Sequence, residues 1–197
     1  MGQLGKGVLM KIAFIRHGKS VWEENEKISS EQFREWVEIY DEKGVQEEEE
    51  YPQSTIEIVA KSGIVLTSDL KRSQHSANLL TRGSRLNSDG IFREVELPKC
   101  TFGQFIKCKP AVWLVVLRLL WMAGYSQSCE SYKQARKRAK IGAERLVQYA
   151  KNKHTVVLVG HGFFNRLLAK ELEKMGWITY EKMSSKHWEC ITYEAPQ

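Results

Sequence analysis

Two segments of this chain deliver a histidine and a glycine at the end of a short apolar run. In "KIAFIRHGKS" (Lys11–Ser20) the run Ile12–Ile15 ends in Arg16, His17 and Gly18; in "TVVLVGHG" (Thr155–Gly162) it ends in Gly160, His161 and Gly162. A third β-branched run, Ile64–Thr67, is followed by "SDLKR", Ser68–Arg72. A core strand that ends in a permanent cation and an imidazole is costly unless those groups meet a ligand. Two guanidiniums, two imidazoles and the positive end of a helix suit a tetrahedral dianion: arginine offers a planar fork to phosphate oxygens, and backbone N–H groups at a helix start add to it. One unprotonated imidazole nitrogen facing phosphorus is a nucleophile, and its attack gives a phosphohistidine. The departing alkoxide then needs a proton. Glu94 in "FREVELP" is the candidate donor and Glu96 the competitor; spacing alone does not separate them.

Each of these residues also has an ordinary reading. A single His-Gly after a strand is a turn, and a lone Arg72 or Glu94 is a surface residue. Finding two such pairs, one preceded by Arg16, is what argues for a site. His75 reads as helix surface, and His154 and His187 carry no supporting context. A metal held by His17 and His161 would need carboxylate or thiolate ligands and would be repelled by the two arginines. No metal site is expected there. The basic run Lys133–Lys153 reads as the wet face of an amphipathic helix. It has no interleaved aromatics of the kind a nucleic-acid surface uses.

The elements that must position these groups follow from patterning. Strands are expected at 11–16, 64–67 and 155–160, a weak strand or extended loop at 91–95, and a last strand at 188–193. Helices are expected at 30–40 (Phe33, Trp36, Val37 and Tyr40 on one face), after an S-x-x-E box at Ser54 and Glu57 and stopped by Gly63, after a Ser68 cap (Leu70, Ser73, Ala77, Leu80), at 131–150 (Tyr132, Ala135, Ala139, Ala143, Leu146, Ala150), and after the second His-Gly (Phe164, Leu167, Leu168, Leu172, Met175). The most apolar segment, Ala111–Tyr125, is broken by Arg118 and too short to span a bilayer comfortably, so it reads as a buried or cap helix. Strands apolar on both faces that alternate with helices imply an α/β fold: a three-layer α/β/α sandwich around a mainly parallel sheet. Ligands in such sheets bind beyond the carboxyl ends of the strands.

With 197 residues, 42% apolar and 27% charged, the chain reads as one domain with a full core. Residues 1–9 read as a loose extension and 97–128 as a small cap-like insertion. The formal charge of +6 permits an anionic ligand without arguing for nucleic acid. Four cysteines without metal or CxxC spacing, and no apolar leader, suggest reduced thiols and a cytoplasmic location. The "EEEE" patch at 47–50 reads as a solvated loop.

In order along the chain, "IRHGKS", "TSDLKRSQHSA", "FREVELP", "CESYKQARKRAKIGAERL" and "VVLVGHGFFNRLL" resemble the histidine phosphatase superfamily, the phosphoglycerate-mutase-like fold, over about Lys11 to Leu168. The resemblance implies that His17 is phosphorylated, that Arg16, Arg72 and His161 hold the phosphoryl oxygens, and that Glu94 protonates the leaving group and then helps water attack. It implies a small phosphorylated substrate and no cofactor; on the residue readings above, neither nucleic acid nor a membrane is expected as partner. Two departures stand out. Trp22 is followed by Glu23, where many members have Asn, and a carboxylate there would repel phosphate if it pointed inward. Phe163 and Phe164 stand where mutases often carry a small polar pair. Apart from Lys107 and Lys109, little is available to hold a second phosphate. Hydrolysis of a phosphomonoester is therefore favoured over phosphoglycerate-mutase-type isomerisation. Dephosphorylation of protein phosphohistidine and non-catalytic anion binding are the alternatives.

Overall fold

A computed structural model describes residues 9–82, 86–100, 105–182, 184 and 186–196. The extension expected for residues 1–9 falls, Leu9 apart, outside the described residues. Five strands form one sheet in the order β3-β2-β4-β1-β5: β1 (Lys11–Arg16), β2 (Ile64–Thr67), β3 (Leu86–Ser88), β4 (Thr155–Gly160) and β5 (Cys190–Glu194). β1, β2, β3 and β4 run parallel, and β5 lies antiparallel against β1. The helices are α1 (Ser30–Glu42), α2 (Gln53–Lys61), α3 (Lys71–Thr81), α4 (Pro110–Met122), α5 (Tyr132–Lys153) and α6 (Gly162–Lys174).

The central strands β1 and β4 have no polar face, because helices cover both sides. Alternate residues divide between two cores. Ile12, Phe14, Val156 and Leu158 join Ala139, Ala143, Leu146, Leu168 and Leu172 of α5 and α6. Ala13, Ile15, Val157 and Val159 join Val59 of α2 and Ala77 of α3. This period-two split is what a doubly covered parallel sheet requires. The alanines of α5 bring that helix close to the sheet. A third cluster, Phe33, Trp36, Trp113 and Leu117, joins α1 to α4 away from the sheet.

Several local expectations needed correction. The Ser54–Glu57 box does not cap α2: the helix starts at Gln53 behind Pro52, with no side-chain cap. Ser68 does not cap α3 either, since the N-cap is Leu70 and the helix begins at Lys71. Capping boxes form instead at Ser29–Gln32 and Ser131–Gln134, with Gln rather than Glu closing each box. Of the two readings of 91–95, a weak strand or an extended loop, the loop holds: the segment begins in a 3₁₀ turn, Gly90–Phe92, capped by Asp89, and continues without regular structure. The strand lies earlier, at β3, whose polar "LNS" carries no apolar signal. The last strand starts at Cys190, two residues later than expected. All four cysteines are free thiols, and burial pushes that of Cys190 up to about 12.

Candidate active site

Strand register brings the two His-Gly segments together. In the parallel β1–β4 pair Arg16 lies opposite Gly160, so His17 and His161 leave adjacent strands at the same level. Thr67 of β2 lies opposite Val159, so Ser68 emerges beside His161. The rings of His17 and His161 are 5.1 Å apart, edge to face, and both residues are buried.

His17 Nδ1 lies 2.8 Å from the Gly18 carbonyl oxygen. A carbonyl only accepts, so Nδ1 carries the hydrogen and Nε2 keeps its lone pair. Buried Arg72, from the first turn of α3, donates from Nε to that Nε2 at 3.3 Å. Burial, then the Arg72 charge, hold the His17 pKa well below its ordinary value, with Arg16 and His187 adding to the shift. The ring is therefore neutral at physiological pH.

Arg72 is itself held in place. Its Nη1 lies 2.6 Å from Asp41 Oδ1, and its guanidinium stacks 4.4 Å from the centroid of the Tyr40 ring. Asp41 and Tyr40 come from the end of α1. His161 Nε2 bonds Ser68 Oγ at 2.7 Å, and Ser68 Oγ also accepts from the Leu70 amide. Ser68 thus orients an imidazole rather than capping a helix. His161 Nδ1 is buried and has no hydrogen-bond partner among the described residues. Burial, then His17 and the arginines, hold the His161 pKa well below its ordinary value.

Glu94 reaches the same place from the other side. Its carboxylate accepts the first amides of α6, from Phe163 at 3.1 Å and Phe164 at 2.9 Å, and the amide of Val95 at 3.0 Å. A carboxylate at a helix N-terminus is favourably placed. Arg16 packs against Gly162, where a Cβ would approach its Nε to 3.3 Å. Arg16, His17, Arg72, Glu94 and Glu96 all line one cavity of about 860 Å³. Its lining also includes apolar Phe33, Trp36, Leu97, Leu114 and Leu117 and charged Arg34, Arg93, Lys99, Arg118 and Arg166.

Glu23 points away from this cavity. It is exposed, paired with Lys19 and bonded by Gln46 Nε2 at 2.8 Å. Phe163 supports Arg118, whose guanidinium lies 4.7 Å from the Phe163 centroid and donates to the Val95 carbonyl. Phe164 is buried beneath Arg138. His75 is not plain surface: its Nδ1 accepts the Val45 amide and anchors the loop before α2.

Sequence reasoning missed five groups. His187 was set aside, yet its ring lies 5.6 Å from that of His17, and its Nδ1 bonds the His17 carbonyl oxygen at 2.7 Å. The next residue, Trp188, packs on Gly18, where any Cβ would overlap the indole. The available signal was topological: an antiparallel neighbour of β1 must begin beside the end of β1. Tyr40, Asp41 and Arg118 lie on helices and carry no local motif.

The model of the histidine phosphatase superfamily (branch 1) matches residues 12–194. No curated protein matches the chain in sequence. Among solved structures, phosphoserine phosphatase from Entamoeba histolytica, a histidine-to-alanine variant in complex with phosphoserine, is 16% identical with a TM-score of 0.56, over 92% of this chain and 89% of that one. A mycobacterial glucosyl-3-phosphoglycerate phosphatase is 18% identical with a TM-score of 0.52, over 84% and 80%. Its complex with inorganic phosphate gives 19% and 0.50, over 84% and 79%. At these identities the solved structures speak to the fold. With the family match spanning β1 to β5, the chain belongs to the histidine phosphatase superfamily, branch 1, and is a phosphatase-type enzyme.

Proposed function

We propose that the protein hydrolyses a phosphomonoester through a phosphohistidine on His17. The observation that carries this reading is the His17 ring: neutral, fixed by the Gly18 carbonyl, with Nε2 toward Arg72 and beside His161 at the base of a large cavity. The phosphoryl oxygens replace the Arg72–His17 bond and take donors from Arg72, Arg16 and His161. Nε2 attacks phosphorus, the bond from phosphorus to the ester oxygen breaks, and the alcohol leaves with a proton. Glu94, which lines the same cavity, supplies that proton. In the second half, water attacks phosphorus, Glu94 takes the water's proton, and the P–N bond breaks to release phosphate and restore His17. Charge stabilisation and positioning carry most of such a transfer. Arg16 and Arg72 supply the charge, and Ser68, His187 and Gly18 supply the positioning.

The cavity also bears on the substrate. Beyond the phosphate end it is lined both by apolar Phe33, Trp36, Leu97, Leu114 and Leu117 and by cationic Arg34, Arg93, Lys99, Arg118 and Arg166, which fits an organic leaving group with both apolar and anionic surface. The test is aryl-phosphate hydrolysis by the wild type and His17→Ala, with acid-quenched protein examined for phosphohistidine. Turnover and a trapped phosphoenzyme in the wild type, both lost in His17→Ala, are expected. Equal rates in the two proteins reject the proposal.

A further inference from the structure

Arg118 apart, helix α4 is apolar all round, yet only half of it is covered. One face, Trp113, Leu117 and Trp121, is buried. Trp113 and Leu117 pack against Phe33 and Trp36 of α1. The opposite face carries Val112, Val115, Val116, Leu119 and Met122, which are 46, 59, 38, 60 and 48% exposed. Helices of that composition are ordinarily buried on every side. Just before α4, Phe105 is 92% and Ile106 57% exposed, flanked by the exposed lysines Lys107 and Lys109. Contiguous apolar exposure of this kind marks a surface that is covered in use.

Charge indicates what covers it. From Leu97 to Cys129 the sequence contains no Asp or Glu, while Lys99, Lys107, Lys109 and Arg118 are all cationic. The acidic groups near this helix, Glu94 and Glu130, act on Arg118, which is not part of the exposed stripe, and α1 packs against the buried face of α4. We propose that α4, with the Phe105–Lys109 segment at its start, docks the protein on an anionic lipid bilayer. The aliphatic stripe lies in the interface and the two lysines meet the headgroup charge. Among the described residues no helix is long and apolar enough to cross a membrane, but lying on one requires only an apolar face with flanking cations. A second copy of the chain fits less well. A 13-residue helix offers a face of about 20 by 10 Å, short of the roughly 800 Å² per partner that a standard interface uses. Leu114, Leu117 and Arg118 also line the cavity, so docking surface and substrate cavity share a wall.

The experiment is co-sedimentation of the full chain with phosphatidylcholine vesicles, with and without phosphatidylserine. Binding that needs phosphatidylserine and weakens with salt is expected. The double variant Val115→Glu/Leu119→Glu should bind at least about tenfold more weakly, since each change removes an apolar side chain from the interface. Lys107→Glu/Lys109→Glu should remove the preference for phosphatidylserine. Val115 and Leu119 do not line the cavity, so unchanged aryl-phosphate turnover verifies that the first variant is folded. Absence of wild-type binding, or equal binding by the wild type and Val115→Glu/Leu119→Glu, overturns the proposal. So does a dimer in sedimentation velocity that the same double variant abolishes without any vesicle binding, which assigns the face to a second copy.

Discussion

A histidine that attacks phosphorus must keep one ring nitrogen unprotonated and aimed. Both conditions are met here by neighbours. The Gly18 carbonyl selects the tautomer, and burial with the surrounding cations keeps the ring neutral. The acid limb of kcat/KM therefore should not follow an ordinary imidazole. Activity should persist as the pH falls below 6.5, the ordinary value for His17. A pH–rate profile that halves near that value contradicts the assignment. Arg72 donates to His17 Nε2, the nitrogen proposed to attack, and is braced by Asp41 and Tyr40. Arg72→Ala should lower kcat by roughly 10²–10³-fold, about 3–4 kcal/mol, as for loss of one preorganised donor elsewhere. Arg72→Lys should recover little, because a point charge cannot face Asp41 and a phosphoryl oxygen together. His187 touches the backbone of His17, not the phosphate position. His187→Phe keeps the ring volume and removes the bond, so it should lower kcat about tenfold with KM nearly unchanged. Equal kcat for His187→Phe and the wild type in steady-state assays removes the positioning role.

Among the elements, the segment before β5 does more than finish the sheet. Trp188 covers Gly18, its amide donates to the Arg16 carbonyl, and its carbonyl accepts from Thr55 of α2. Gly18→Ala must push the indole aside, an overpacking cost of about 1–3 kcal/mol. Stability by urea unfolding and aryl-phosphate turnover should fall together, because the displaced segment carries His187. A variant as stable and active as the wild type shows that the indole yields freely. The helix caps are the matching lesson. Ser54–Glu57 has the right letters, but Pro52, with no side-chain donor or acceptor, occupies the cap position of α2. Ser131, closed by Gln134, caps the longest helix. Motif letters report which bonds are available; the chain's entry angle decides which are made.

For the whole molecule, two buried neutral imidazoles couple stability to pH. Both His17 and His161 have folded pKa values below 6.5, their ordinary value when unfolded. Above that value neither state binds the proton. Below it the unfolded chain takes up protons that the native site refuses, so stability is lost as the pH falls. The slope is at most about 1.4 kcal/mol per pH unit for each histidine. The urea midpoint should drop between about pH 7 and pH 5, and drop less in His17→Gln/His161→Gln. Equal drops in the two proteins show that other groups carry the acid sensitivity.

The sequence alone determined the central strands, their burial on both faces and the residue types at their ends. The apolar runs, the two His-Gly pairs and the alanine stripe of α5 are local signals, and strand polarity then directs those ends to one edge. Only the tertiary structure decided which groups surround His17. His187, Asp41 and Tyr40 reach the site from elements whose own patterns carry no sign of it, because a catalytic neighbour is chosen by distance in space. Glu23 was turned outward by Lys19 and Gln46, and Ser68 was claimed by His161 rather than by a helix end. Each of those outcomes is a competition between hydrogen-bond partners, and the partners meet only once the sheet has formed.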